Sequence, residues 1–283
     1  MDERFEEHRS HLRAVAYRML GSLSEADDAV QETWLRLNRT DTSEVENLAG
    51  WLTTVVARVC LNILRSRRRE AQFGEHEPVI GRDDDGHPEQ EAMVADEVGL
   101  ALLVVLDTLS PAERLVFVLH DMFAVPFEEL GPMIEKTPAA SRQLASRARR
   151  RVKGATPVPE ADLTRQRRVV DAFLAASRGG DFDALVALLD PDVELRADRA
   201  AGPTPTPIAL RGAKVVARGA GAASARSRFT QPALVNGAVG LVMAPLGKLR
   251  LALAFTIVDG LVTDIDVIAD PDRLRNLNIA VLD

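Results

Sequence analysis

The chain has 283 residues, 46% of them apolar, which is enough for two modest domains with cores of their own. A single cysteine excludes disulfides and cysteine-built metal centres. The start, MDERFEEHRSHLR, is charged where a signal peptide needs an apolar core, and no stretch reads as an uncharged membrane span of about 18 residues. The expectation is a soluble, cytoplasmic protein with no membrane segment.

The net charge of -7 is unevenly spread. Residues 71–97 hold nine acidic side chains and one basic one, with Gly, Pro and consecutive aspartates, and read as a solvated, flexible linker. A second break falls at GATPVPEAD (154–162). The expected organisation is therefore a module over 1–70, the acidic linker over 71–97, a module over 98–153, the short linker 154–162, and a C-terminal domain over 163–283.

The first module is helical throughout. Phe5, Leu12, Val15, Ala16, Met19 and Leu20 fall on one helical face, and Gly21 ends the run as a C-cap. Ser24 is expected to start a second helix with Asp27 and Asp28 in its first turn. On that helix Ala26, Val30, Thr33 and Leu37 point inward, while Asp28, Gln31, Glu32 and Leu35 share another face, with Trp34 beside it. An apolar side chain on an outward face marks a partner surface.

A third helix begins near Asn47 and runs through GWLTTVVARVCLNILRSRRRE. Leu52, Val55, Val56, Val59, Ile63 and Leu64 point inward, and Cys60 among them reads as a buried thiol. Trp51, Thr54, Arg58, Asn62 and Arg65 form the opposite ridge. An aromatic, hydrogen-bonding side chains and arginines on one ridge suit nucleic acid, where bases offer stacking and edge contacts and arginines meet phosphate. The five histidines all precede residue 121, none at zinc-finger spacing, so neither metal nor cofactor is expected.

The second module ends in TPAASRQLASRARRRVK (137–153), which has six basic side chains and no carboxylate. Before it, LSPAERLVFVLHDMF reads as a helix capped by Ser110 with Pro111 at its first position, PFEELGPMIEK as a short helix, and TPAA as the entry to the last. This is a helix-turn-helix, whose final helix lies in the major groove. Arg142 and Gln143 would read bases, and Arg147 to Lys153 would hold phosphate.

YRMLGSLSEADDAVQETWLRL, GWLTTVVARVCLNILRSRRR, LSPAERLVFVLHDMF and ASRQLASRARRRV together resemble regions 2 and 4 of an extracytoplasmic-function sigma factor of the sigma-70 family. The resemblance implies that the face of Asp28, Gln31, Glu32 and Leu35, with Trp34, docks on the beta-prime clamp helices of core RNA polymerase. It implies that the loop at Asn47 and the helix carrying Trp51, Thr54, Arg58, Asn62 and Arg65 open the minus-ten element of promoter DNA. Region 4 would meet the beta flap and place Ser141, Arg142 and Gln143 in the minus-35 element, with Arg147, Arg149, Arg150 and Arg151 alongside. Two positions depart from the family pattern: Gly131-Pro132 lies inside the short helix, where Pro132 should kink or shorten it, and Glu135-Lys136 occupies a turn that commonly holds glycine. In the acidic linker, FGEHEPV keeps only fragments of an aromatic, proline-rich motif.

The C-terminal stretch opens with two amphipathic helices broken at Gly179-Gly180, leading into a strand. FTQPALVNG, AVGLVMA, KLRLALAFTIVDG and LVTDIDVIAD follow as strands, with turns at Asn236-Gly237, Leu246-Gly247 and Asp259-Gly260. Helices followed by an antiparallel meander give an α+β, cone-shaped domain. It resembles the SnoaL-like domains that one sigma subgroup carries in place of a separate anti-sigma protein, and Asp270, Pro271, Arg273 and Leu274 lie in a segment like that subgroup's C-terminal signature. Leu274, Leu277 and Ile279, beyond the last strand, are expected to be free to contact the other modules. The fold class is thus multidomain, all-α regions 2 and 4 followed by an α+β SnoaL-like domain. The alternative is a DNA-binding regulator whose SnoaL-like domain is a small-molecule enzyme or sensor. The candidate acids for catalysis are Asp192, Glu194, Asp198, Asp264 and Asp266, but the domain has no histidine or cysteine, and Asp192, Glu194, Asp264 and Asp266 alternate with apolar residues as a solvent face does. A small-molecule ligand in its interior stays open.

Overall fold

Gly21 adopts φ +81°, open to glycine at little cost, and its N–H closes on the Tyr17 carbonyl at 2.8 Å, ending helix α1 (Glu3–Leu20). The computed structural model describes residues 3–43, 45–73, 99–154, 160–202, 206–222 and 229–282. The expected acidic linker lies outside these beyond Phe73, as does 155–159 of the second one. The described residues fall into two compact units, one drawn from 1–94 and 106–149, the other from 95–105 and 150–283.

In the first unit α1, α2 (Leu23–Leu37) and α3 (Leu48–Phe73) pack on one another. Every residue of the expected α1 stripe is buried, and Cys60 sits at 0% exposure. The cap of α2 differs from expectation: Ser22, not Ser24, accepts the Glu25 N–H, and Ser24 is exposed in the first turn. Ser22 has the extended backbone a capping residue needs, so the helix begins earlier. By length and composition Leu48–Glu70 could cross a membrane, which departs from the expectation of no such stretch. Half of that window is buried within the protein, as in a core helix.

The same unit takes the end of α4 (Leu100–Thr108), then α5 (Pro111–Phe117), which continues as one π-helical turn over Val118–Met122. Ser110 and Glu113 form a reciprocal capping box at its start. Helix α6 (Phe127–Met133) and helix α7 (Pro138–Lys153) are the helix-turn-helix. Pro132 does shorten α6, which ends one residue later. In the turn Glu135 holds φ +57°, a left-handed conformation that costs a side-chain-bearing residue about 1 kcal/mol. Glycine instead stands four residues earlier, at Gly131, where a Cβ would meet the Lys136 carbonyl oxygen at 2.7 Å.

Arg114 of α5 lies in the middle of this unit with 3% exposure. Its Nε donates to the carbonyl of Arg18 near the end of α1 at 3.2 Å, and one terminal nitrogen stands 3.5 Å from Asp107 of α4. Burial pushes its pKa down to about 10, with Asp107 opposing, so the charge persists at neutral pH. Burial likewise pushes the nearby Cys60 thiol up to about 12, which leaves it inert. Arg67 of α3 pairs with Glu25 of α2.

The second unit begins with the first turns of α4. Then come α8 (Glu160–Gly179), α9 (Phe182–Leu188), β1 (Leu189–Ala197), β2 (Ile208–Arg211), α10 (Ala213–Ala222), β3 (Thr230–Val235), β4 (Ala238–Met243), β5 (Leu251–Val258), β6 (Leu261–Ile268), α11 (Pro271–Arg275) and β7 (Ile279–Ala280). One sheet has the order β2-β1-β6-β5-β4-β3-β7. The expected meander β3 to β6 is antiparallel, and both Asn236-Gly237 and Asp259-Gly260 have positive φ at each residue, the type I′ requirement. Strand β1 joins β6 in parallel, with Glu194 beside Asp264 and Leu195 beside Ile265. One sheet face packs on α8, α9 and α10 through Val170, Phe173, Leu185 and Val216. The other face packs on Leu100, Ala101, Val104 and Val105 of α4. This is the α+β architecture expected of a SnoaL-like domain.

Two sequence expectations need correction. The stretch 98–153 does not all pack together, since Leu100–Val105 lies on the second unit's sheet and the Leu100 N–H is held by the Gln231 side chain at 2.7 Å. The helix is apolar on every side and is buried there instead of presenting a polar face. Leu274, Leu277 and Ile279 are not free either: Ile279 pairs with Val235 in the sheet, and both leucines pack on the α4 side of it.

Replacing Arg114 with Ala should lower the unfolding free energy of the first unit by about 2–4 kcal/mol, because a desolvated bridge between three helices is lost. Arg149→Ala, which removes only a surface pair with Asp121, should cost less than about 1 kcal/mol. Denaturant unfolding followed by tryptophan fluorescence reads this directly, as both tryptophans, Trp34 and Trp51, lie in this unit.

Candidate nucleic-acid interface

The ridge on α3 starts from a local cap. The Asn47 side chain accepts the Gly50 N–H at 3.0 Å, and the Trp51 N–H closes on the Asn47 carbonyl at 3.0 Å. Asn47 is thereby committed to starting the helix as well as being exposed. From there Trp51, Thr54, Arg58, Asn62 and Arg65 follow at helical spacing. Trp51 and Thr54 are half-buried, with the Thr54 hydroxyl donating to the Gly50 carbonyl at 3.0 Å, while Arg58, Asn62 and Arg65 are exposed. The inner side of the helix differs slightly from the expected list: Ala57 and Leu61 are buried, and Ile63 and Leu64 only half so.

The end of this ridge lines a polar cleft. Asn62, Arg65, Arg68 and Arg69 stand on one side, and Ser110, Pro111 and Glu135 on the other. Elsewhere in this unit Phe123, after the π-turn, makes an edge-to-face contact with His11 at 5.2 Å and lies 5.4 Å from the Arg18 guanidinium. The two modules therefore close on each other within the first unit.

On α2, Asp28 and Gln31 are exposed, and Glu32, Trp34 and Leu35 are half-buried. Glu32 pairs with Arg36 one turn on, at 2.9 Å. The indole N–H of Trp34 is buried without a partner among the described residues.

Helix α7 starts where Thr137 accepts the Ala140 N–H at 3.2 Å and Pro138 takes the first position. Arg142 and Gln143, in its first two turns, are exposed. The Arg142 guanidinium lies 5.4 Å from the Phe127 ring centroid and bonds Glu128 at 2.8 Å, so two residues of the preceding helix aim it. Arg147, Arg150 and Arg151 are exposed; Arg149 is half-buried and bonds Asp121 at 2.6 Å. Ser141 is a correction. It is 0% exposed, and its hydroxyl donates to the Thr137 carbonyl at 3.2 Å, so it packs the start of the helix and offers no surface to a base.

In the second unit Asp270 caps α11, and the Asp198 carboxylate accepts the N–H groups of Ala269 and Asp270 at 2.8 and 2.7 Å. Arg273 reaches Asp266 at 2.6 Å and Asp198 at 3.6 Å. Pro271 is exposed, and Leu274 is half-buried. The carboxylates weighed as catalytic are paired on the surface: Asp192 with Arg211, Glu194 with Arg196, Asp266 with Arg273. Sequence reasoning missed Arg114 and weighed Asp198 only as a candidate acid, not as a brace for the corner; their partners are 96 and about 71 residues away.

Residues 4–70 match the family model of sigma-70 region 2. The chain is 40% identical to the ECF RNA polymerase sigma factor SigJ of Mycobacterium tuberculosis over 95% of its own length and 91% of that protein's. With the probable ECF RNA polymerase sigma factor SigI of the same organism it shares 33% identity over 95% of this chain and 93% of the relative. A crystal structure of Mycobacterium tuberculosis SigJ is 35% identical and covers 97% of this chain and 98% of that one, at a TM-score of 0.47. Full-length identity at this level, over the four motifs and the C-terminal unit alike, makes this chain a member of the extracytoplasmic-function RNA polymerase sigma factors.

Proposed function

We propose that this chain docks on core RNA polymerase through α2, opens the minus-ten element with the ridge of α3, and reads the minus-35 element with the start of α7. The observation that carries this is the outward placement of Arg58, Asn62 and Arg65 on one helix and of Arg142 and Gln143 on another, within one chain. The reading places the protein in the cytoplasm with the polymerase. Arg147, Arg149, Arg150 and Arg151 act on phosphate, where cations displace counterions whatever the sequence.

The described arrangement is a closed one. Elements named for positions -10 and -35 are separated by roughly 25 base pairs, about 85 Å of B-form DNA. Yet Asn62 and Arg65 line the same cleft as Ser110 and Pro111. Engaging both elements at once requires the two modules to part, and the Arg114 and Phe123 contacts are what must be given up.

The C-terminal unit is the regulator of this opening. Residues 154–283 carry equal numbers of acidic and basic side chains, which argues against a broad phosphate-binding surface. Covalent attachment gives it an effective concentration of order millimolar toward the sigma module. In the corner of Asp270, Pro271, Arg273 and Leu274, braced by Asp198, Pro271 and Arg273 are the exposed residues for that role, and Asp270 and Leu274 are half-buried.

Adding the purified chain to core polymerase and sequencing the transcripts tests the reading as a whole. Leu35→Asp should weaken core binding by tenfold or more with the melting temperature unchanged, the loss expected of an apolar anchor at an interface. Normal binding by a folded variant removes α2 from the docking surface. Arg142→Ala should weaken binding at particular minus-35 bases, whereas Arg150→Ala should weaken binding on all sequences and reduce the salt slope by roughly 1. Uniform loss in both would show that Arg142 reads nothing.

A further inference from the structure

The sheet and helices of the second unit line a partly open cavity of about 210 Å³ between α8, α10 and the strands from β1 to β6. Leu195, Leu210, Leu241, Met243, Leu253 and Val267 supply much of its wall. The space exists because small residues stand where large ones would close it: Ala197, Ala201, Gly219 and Ala220. At Gly219 even a Cβ would come within 3.2 Å of Leu210.

Among the described lining residues Ser177 and Thr230 are the polar ones, and none is charged. Ser177 is 6% exposed, and its hydroxyl has no hydrogen-bond partner among the described residues. A helical serine ordinarily relieves such burial by bonding the carbonyl one turn back. Here that bond is absent, and alanine would fill the position without leaving an unpaired hydroxyl. An orphan hydroxyl facing an apolar cavity fits a ligand that brings the missing partner.

We propose that this cavity binds a neutral, mainly hydrocarbon small molecule of about 8–11 heavy atoms, carrying one hydroxyl or carbonyl that bonds Ser177. Apolar cavities of about 150 Å³ accept benzene, so 210 Å³ scales to roughly eight or nine heavy atoms, and the cavity's open side leaves room for a few more. A charge carried inside the cavity is disfavoured, because none of its described lining residues is charged. The proposal stands on binding alone and does not depend on the polymerase reading.

Isothermal titration of the full chain with 1-naphthol, naphthalene and 1-naphthoate tests it. Naphthol should bind, naphthalene should bind about 5–10-fold more weakly for want of the hydrogen bond, and naphthoate should show no heat up to millimolar concentration. Ser177→Ala should erase the difference between naphthol and naphthalene while leaving naphthalene unchanged. Ala220→Phe should abolish binding of both, with folding checked by thermal melting, and Ala197→Val serves as a milder filling variant should the phenylalanine prevent folding. The proposal is overturned if none of the three binds the folded protein, if naphthoate binds as well as naphthol, if naphthol keeps its preference in Ser177→Ala, or if a folded filling variant binds as the parent does.

Discussion

A guanidinium removed from water at the centre of the first unit sets the terms for everything around it. Arg114 reaches the end of α1, the end of α4 and the neighbourhood of Cys60 on α3 at once. A buried charge is tolerated only while its partners stay in place. The contact is therefore specific in a way that apolar packing is not: separating the modules returns the charge to water, where it is well solvated. Such a bridge is exacting about geometry when closed, and under the proposed reading it is among the contacts given up when the two modules part.

The surfaces proposed for DNA lie on scaffolds whose local chemistry is self-sufficient. Asn47 caps the helix whose ridge it begins, and Thr137 and Pro138 start the helix that carries Arg142. Phe127 and Glu128 hold Arg142 in place before any base is present. Preorganisation of this kind reduces the side-chain entropy lost on binding. The turn between these helices reaches the same shape by an uncommon route. The close backbone approach falls at Gly131, and Glu135 bears the left-handed strain.

Much of this was legible in the sequence where the determining contacts are local. The α1 stripe, the Ser110 cap, the Asn236-Gly237 and Asp259-Gly260 hairpins and the break at Gly180 each follow from residues within a few positions of one another. The failures share the opposite character. The parallel pairing of β1 with β6 joins residues about 70 apart, β2 has four residues, and β7 only two, so none leaves a periodic signal. Leu100–Val105 was assigned to the wrong core although LALLVVL, apolar on every side, announces burial without naming the partner. Ser141 shows the limit for sites: its place in a basic helix pointed to DNA, and only its zero exposure reveals a packing role.

The pairing of Leu234 with Ala280 has a consequence for how the protein is made. The sheet gains its last strand only after residue 280 has left the ribosome, whereas the first unit has all its residues by 149. At common elongation rates that interval is on the order of ten seconds, long compared with the folding of a helical bundle. The sigma module thus matures ahead of the domain beside it on the chain. Throughout that interval the apolar face of Leu100, Val104 and Val105 waits uncovered for its sheet, making nascent chains arrested before residue 230 the species most exposed to aggregation and chaperone capture.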